Sequence, residues 1–203
     1  MANTAKSKSN ITSKSPRTQQ QRRDATSSAV LESAVALFGE KGYQKTSLED
    51  IASHCGTTIR PIYHYYKNKK NLFLAVAELR EQQLLEAFES IEEESQQPLP
   101  ISDYWRIFAA MCKEPGFRQI VLLDAPNILG RERWVSSPIV KKAIDYFYVL
   151  YPNLSEESRM LISRVFVAAL TEAAMVLSEA DGDEELSFNE LFSMFEAFTG
   201  VKA

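Results

Sequence analysis

TSLEDIASHCGTTIRPIYHYYKNKKNLFL, residues Thr46 to Leu74, reads as two short helices joined by a tight turn and followed by the start of a third. Thr46-Ser47-Leu48-Glu49 has capping-box spacing, in which the Thr46 hydroxyl accepts from a backbone N–H three residues on and Glu49 reaches back. Leu48, Ile51 and Ala52 then fall on one helical face. Gly56 ends that helix, because a positive φ costs glycine little. Thr57 and Thr58 are placed to cap the next helix, whose Ile62 and Tyr66 face back onto the first. A capped helix, a glycine-containing turn and a second short helix make a helix-turn-helix unit, the shape that lays its second helix in the DNA major groove.

The outer side of that second helix presents Thr58, Arg60, Tyr63 and His64, and the chain continues Tyr65, Tyr66, Lys67, Asn68, Lys69 and Lys70. Aromatic hydroxyls interleaved with lysines suit phosphate oxygens, and Arg60 and His64 can donate to base edges. A solvated basic connector between two bundle helices has the same pattern, and the residues alone leave both readings open. Pro61 lies a turn into this helix, where its ring strains the carbonyl four residues back, so the helix starts late or winds tightly.

GTTIRPIYHYYKNKKNLFLAV resembles the recognition-helix signature of tetracycline-repressor-like (TetR-like) transcriptional regulators, and ALFGEKGYQKTSLEDIA resembles the end of that family's first helix and the start of its second. The likeness covers roughly Asp24 to Ala77. It implies an all-α protein, with an N-terminal three-helix bundle containing the helix-turn-helix and a C-terminal helical domain for ligand binding and dimerisation. It further implies a homodimer on a pseudo-palindromic operator, a small-molecule effector, and repression as the default. By position, Thr46, Tyr63, Tyr65 and Lys69 would bind phosphates, while Thr58, Ile59, Arg60, Pro61 and His64 would face bases, with Thr57 beside them.

Charge supports one polyanion-binding end. The net charge of the 203 residues is −4. Residues 1–70 carry 12 Lys/Arg against 5 Asp/Glu, and residues 71–203 carry 11 against 22. A basic front on an acidic body points to a nucleic-acid partner at the front alone. No run long and apolar enough to cross a bilayer is expected, nor a secretory signal, since the basic N-terminus lacks an apolar core. Cys55 and Cys112 read as isolated reduced thiols in a cytoplasmic protein. His54 and His64 lack partners at ligand spacing, so no metal and no cofactor is expected.

Taken in order, residues 1–23 read as a disordered basic tail. Residues 24–72 read as the DNA-binding domain and 73–203 as the ligand-binding and dimerisation domain. Asp24 is placed to cap the first helix, which Gly42 closes, and the Tyr43 ring staples it to the next element. Asn68 caps a long fourth helix that links head to body. Lys69 in its first turn opposes the helix dipole unless an anion sits there.

The body is punctuated by Pro115, Pro126 and Ser137-Pro138, with a helix opened by Ser155 and a last one by Ser187-Phe188-Asn189-Glu190. Asp181-Gly182-Asp183 lacks the spacing of a calcium loop. Ile162, Phe166, Ala169, Ala173 and Val176 have the spacing of a packing seam. With Leu191 and Phe195 of the final helix they form the dimer interface that the resemblance implies; an intrachain core is the alternative. Trp105, Phe108, Met111, Phe117, Trp134, Tyr146, Phe147 and Phe166 are candidates to line an effector pocket. Asp124 and Glu172, carboxylates on apolar helices, would face a cationic or hydroxylated ligand or pair with Arg118, Arg131 or Arg164. An apolar or aromatic effector is expected. No nucleophile–base pair, phosphate loop or ligand-spaced cluster supports an enzyme. A helical protein-interaction module is the remaining alternative, and it leaves the charge division unexplained.

Overall fold

The computed structural model describes residues 18–95, 99–130, 132, 133, 136–179, 189, 190, 193, 194 and 197. The described residues form helices and connecting turns, with no strand among them. Helices α1 (Gln19–Lys45), α2 (Leu48–His54), α3 (Ile59–Tyr66) and α4 (Lys69–Glu94) make the head and its stalk. The body holds α5 (Ile101–Cys112), then α6 (Pro115–Phe117), a π-helical stretch Arg118–Asp124 and α7 (Ala125–Leu129) in continuous succession, and finally α8 (Pro138–Leu150) and α9 (Glu156–Glu179).

α1 begins earlier than expected. Thr18, not Asp24, is its cap: the Thr18 hydroxyl accepts from the Gln21 N–H and the Gln21 side chain accepts from the Thr18 N–H. Residues 19–23, expected in the tail, are therefore helical, and Asp24 accepts from Gln20 Nε2 one turn inside the helix. The rest of the expected tail, residues 1–17, lies outside the described residues.

Gly42 breaks the regular helix at φ 77°, where a side chain would also press on Gln119 and Asp124 of the π stretch. One turn earlier, α1 meets α6 glycine to glycine. A Cβ on Gly39 would stand 2.9 Å from the Gly116 Cα, a distance that forces the two backbones apart.

The head core is built from Val30, Ala34 and Phe38 of α1, Ile51 of α2, Ile62 of α3, and Leu72, Phe73 and Val76 of α4, all fully buried. Tyr43 staples α1 to α4 rather than to the next element in the chain. Its ring lies 5.8 Å from Phe38 and 5.0 Å from Phe73, and Phe38 meets Phe73 edge-on at 5.2 Å. The same buried cluster continues through α4 into Trp105, Phe117, Ile120 and Val121, so head and body share one core.

α4 spans 26 residues, roughly 39 Å at 1.5 Å per residue, and among the described residues three ion pairs fasten it to the body. They are Arg80 with Glu114, Glu81 with Arg133, and Glu92 with Lys142. Burial raises the Glu81 carboxyl above its ordinary value, and the Arg133 guanidinium opposes that shift.

The expectation that no segment is long and apolar enough to cross a bilayer is corrected. Glu156–Leu177 of α9, 22 residues with a mean hydropathy of 1.8, meets both requirements, and 22% of that window is buried. α9 packs on α8 and α5 through Phe166, Val167, Ala174 and Leu177, and leaves Leu161, Val165 and Val176 exposed on another side. Arg164 and Glu172 stand exposed among them, and charges there favour a protein or water neighbour over lipid.

Candidate nucleic-acid interface and body cavity

α2 is capped by Ser47 rather than Thr46. The Ser47 hydroxyl accepts from the Asp50 N–H at 3.0 Å and the Asp50 carboxylate accepts from the Ser47 N–H at 2.9 Å. These bonds hold the exposed Asp50 carboxyl below its ordinary value. Thr46 is 1% exposed, and its hydroxyl donates to the carbonyls of Gly42 and Leu37 at 2.9 and 3.1 Å. In this conformation the Thr46 hydroxyl braces the α1–α2 corner, and the residue borders the surface notch at the start of α4.

α3 starts at Ile59, so Pro61 occupies its third position. The missing N–H is then one that the helix leaves unbonded anyway, and no carbonyl four residues back belongs to the helix. The late start is the outcome, and it removes the strain. Thr58 is the backbone cap, and its hydroxyl makes no cap hydrogen bond. Thr58, Arg60, Tyr63 and His64 are exposed together, while Thr57, Ile59 and Pro61 are half-buried at the same end.

Tyr65 and Tyr66 turn inward. Their hydroxyls donate to the carbonyls of Arg23 at 3.2 Å and Ser27 at 3.4 Å, tying α3 to the first turns of α1. Tyr65, expected on phosphate, is thus engaged within the head. The turn after α3 is made at Lys67 with φ 69°, a conformation that costs a non-glycine residue about 1–3 kcal/mol and places the start of α4 beside α3.

At that start, the Asn68 side chain accepts from the Asn71 N–H at 2.8 Å, as the sequence predicts. A surface notch of about 380 Å³ lies here, bordered by Lys45, Thr46, Ser47, Glu49, Tyr63, Asn68 and Lys69. The Lys69 ammonium stands 4.1 Å from the centre of the Tyr43 ring. Burial lowers its proton affinity and the Asp124 carboxylate partly restores it. The free N–H groups of the first turn of α4, Lys69 and the Tyr63 hydroxyl all border one notch, an arrangement that suits a phosphate.

Asp124 sits at the head–body junction rather than in a ligand pocket. Its carboxylate accepts from the Tyr43 N–H at 2.7 Å and from Gln119 Nε2 at 3.0 Å. Glu172 is exposed on α9 and is not among the residues that line the body cavity. Both expectations of ligand contact are corrected.

The body does contain a cavity, about 330 Å³, among α4, α5, α8 and α9. Trp105, Phe108, Tyr146 and Phe166 line it, as expected of them. Phe147 stands behind the wall, its ring 5.3 Å from Phe166. Met111 and Phe117 belong to the main core instead, and Trp134 lies outside the described residues. Sequence reasoning missed Phe88, Glu92, Tyr104 and Lys142. The i,i+4 pair Phe88–Glu92 and the adjacent Tyr104-Trp105 were the available signals. No group of three or more His, Cys, Asp or Glu side chains fit to hold a metal occurs among the described residues. Cys55 and Cys112 are free thiols, and burial pushes Cys112 up to about 12.

Most of the expected dimer seam is packed within the chain. Ile162, Phe166, Ala169 and Ala173 are half-buried or buried within the chain, Phe166 against Phe147 and Ala173 against the main core. Of that seam only Val176 is exposed, at 55%. The outward stripe of α9 is Leu161, Val165, Ala168, Glu172 and Val176. Leu191 and Phe195 lie outside the described residues.

Comparison with known proteins agrees with this architecture at both ends. Residues 30–76 match the model of bacterial regulatory proteins of the tetR family, and residues 101–199 match that of the tetracyclin repressor-like C-terminal domain. The uncharacterized HTH-type transcriptional regulator YezE of Bacillus subtilis is 46% identical over 46 residues, which cover 23% of this chain and 24% of that protein. A second one from the same organism, YerO, is 29% identical over 120 residues, covering 57% of this chain and 41% of that protein. The matches thus span well under half the length of these relatives. Among solved structures, a TetR-like regulator from Rhodococcus sp. RHA1 superposes with a TM-score of 0.63 at 18% identity, covering 92% of this chain and 100% of the other. A putative tetR family regulator from Shewanella sp. PV-4 gives 0.64 at 16%, covering 83% and 94%. At those identities the likeness is one of fold. The two family models together take in well over half of the sequence, from the head core to the end of the body, and the chain belongs to the TetR family of transcriptional regulators.

Proposed function

We propose that this protein is a sequence-specific DNA-binding transcriptional regulator. It would bind a pseudo-palindromic operator as a homodimer and respond to a small molecule held in the body. The observation that carries the reading is the outward face of α3. Thr58, Arg60, Tyr63 and His64 are all exposed on α3, and Tyr63 also borders the Lys69 notch, so it links the base-reading groups to the phosphate-holding ones. Arg60 is the strongest candidate for bidentate donation to a guanine, with Thr57, Thr58, Ile59, Pro61 and His64 around it. Tyr63, Lys69 and the first turn of α4 would fix the register on phosphates.

A twofold axis through the outward face of α9 suits the second copy. In antiparallel helices crossing at Ala168, residues four before and four after the crossing lie opposite each other. Arg164 then meets Glu172 of the partner subunit on both sides, between Leu161, Val165 and Val176. The pairing is self-complementary, as a twofold interface requires. The aromatic cavity among α4, α5, α8 and α9 is the proposed effector site, and α4 is the lever between it and the head.

Selection of bound duplexes from a random library tests the whole reading. Enrichment of an inverted repeat with half-sites about one helical turn apart supports it. Binding with no sequence preference at any salt concentration contradicts it.

A further inference from the structure

The effector site proposed above has a polar corner, and that corner selects a class of ligand. We propose, resting on that reading of the cavity, that it takes a small lipophilic cation, which replaces the Lys142 ammonium on Glu92 and thereby unfastens the end of α4.

The walls argue for an apolar, aromatic guest. Phe88, Tyr104 and Tyr146 meet edge to face at 5.2 and 5.7 Å, and Trp105, Phe108 and Phe166 close the space. At about 330 Å³ the cavity lies at the small end of ligand sites, with room for a one- or two-ring molecule. The ionisable groups along it are Glu92, Asp145 and Lys142, two carboxylates to one ammonium.

The two sides of the Glu92–Lys142 ion pair are held unequally. Glu92 accepts from the Tyr104 hydroxyl at 2.6 Å as well as from Lys142 at 2.8 Å. Burial pushes its carboxyl up, but Lys142 and Tyr104 outweigh that and hold it below the ordinary value, so it stays ionised at neutral pH. Exposure does not separate the partners, 28% for the Lys142 side chain and 34% for that of Glu92. The Lys142 ammonium, however, ends a flexible four-carbon stem and can swing into water with its charge solvated, whereas Tyr104 holds Glu92 in place. When the pair opens, the ammonium is therefore the group that leaves. The site it leaves is a fixed carboxylate among aromatic faces, which is a cation site. An anionic guest would have to pair with Lys142 beside the Glu92 carboxylate, whose like charge opposes it.

The exchange reaches the head through α4. Glu92 lies in its last turn and Lys142 on α8, so their ion pair fastens the body end of the helix whose first residue, Lys69, borders the phosphate notch. A ligand cation on Glu92 removes that fastening, and a ligand that binds better to the unfastened state shifts the population away from DNA binding.

Isothermal titration of the full chain with three matched probes tests this: benzyltrimethylammonium, its carbon isostere neopentylbenzene, and the anion 3-phenylpropionate. The cation is expected to bind on the order of tenfold tighter than the isostere, with the anion weakest. Glu92→Gln should erase the gap between cation and isostere. Lys142→Met, which removes the resident competitor, should raise cation affinity further. Tightest binding of 3-phenylpropionate, lost in Lys142→Met, overturns the ligand class while leaving the cavity as the effector site. Failure of the cation to bind either wild type or Lys142→Met also overturns the ligand class. If Ala143→Trp, which fills the cavity, leaves binding of every probe unchanged, the cavity itself is not the site.

Discussion

The head and α9 handle apolar surface in opposite ways. In the head, α2 and α3 bury Ile51 and Ile62 completely and turn polar or amphipathic side chains outward. In the body, α9 buries Phe166 at 1% exposure yet shows Leu161 at 64% and Val176 at 55%. The head is finished by its own chain and exposes groups suited to a polyanion. The body is left with an exposed apolar stripe on α9, the face on which the second copy is proposed to dock. The difference separates residues that act on stability from residues that act on assembly, and each kind can be perturbed alone.

The largest effect is expected at the shared aromatic knot. Phe73→Ala removes a fully buried ring that touches Phe38 and Tyr43, and should cost about 3–5 kcal/mol in denaturant unfolding. Leu161→Glu with Val165→Glu puts carboxylates on exposed positions instead. Unfolding of the protomer should change by less than about 0.5 kcal/mol. Assembly should weaken by about 2–4 kcal/mol in sedimentation equilibrium. If the doubly substituted chain dimerises like the wild type, the contrast fails on the body side.

Next comes the reading face. Arg60→Ala should lower operator affinity by about 1–3 kcal/mol and relax specificity at one base pair. Lys69→Ala should weaken all duplexes alike and reduce the salt slope by about 1. Equal, sequence-independent losses in both would show that Arg60 touches only phosphate.

The head–body junction gives a comparable loss of stability. Asp124→Ala leaves the Tyr43 N–H without its acceptor and should cost about 1–3 kcal/mol. The smallest effect is at the α2 cap, where Ser47→Ala should cost about 1 kcal/mol. Because the Asp50 carboxyl is held below its ordinary value, its contribution is complete above the unfolded carboxylate pKa and is lost as pH falls through the folded one. Ser47→Ala should therefore flatten the acid limb of the stability curve. A curve that merely shifts down in parallel would assign the cap's effect to something other than this pair.

How far the sequence could be read follows the same division. Caps and turns act over three or four residues, so Asn68, Gly56 and Ser137 are recognisable without tertiary knowledge. Thr46 and Ser47 show the limit of local rules. Two adjacent hydroxyls can each cap α2, and the carbonyls of Gly42 and Leu37, brought together at the corner that ends α1, select Thr46 for bracing and Ser47 for capping. α9 shows another limit. It is apolar around more than one face, so the stripes through Ile162 and through Leu161 have equal helical periodicity, and Phe147 on α8 decides which turns inward. The Glu92–Lys142 corner was invisible because its partners lie 50 residues apart. Asp124 pairs across 81 residues with a backbone N–H, which no spacing rule announces.

The central claim is that the basic head grips duplex DNA through α3 and the first turn of α4. Fluorescence anisotropy of a labelled duplex from upstream of the protein's own gene, titrated with full-length protein at increasing salt, tests it most directly. The account predicts tight binding at low salt, an affinity that falls linearly with salt on logarithmic axes, and a shallower slope for Lys69→Ala. A duplex that stays unbound at low salt, with protein that is folded and dimeric, would contradict it.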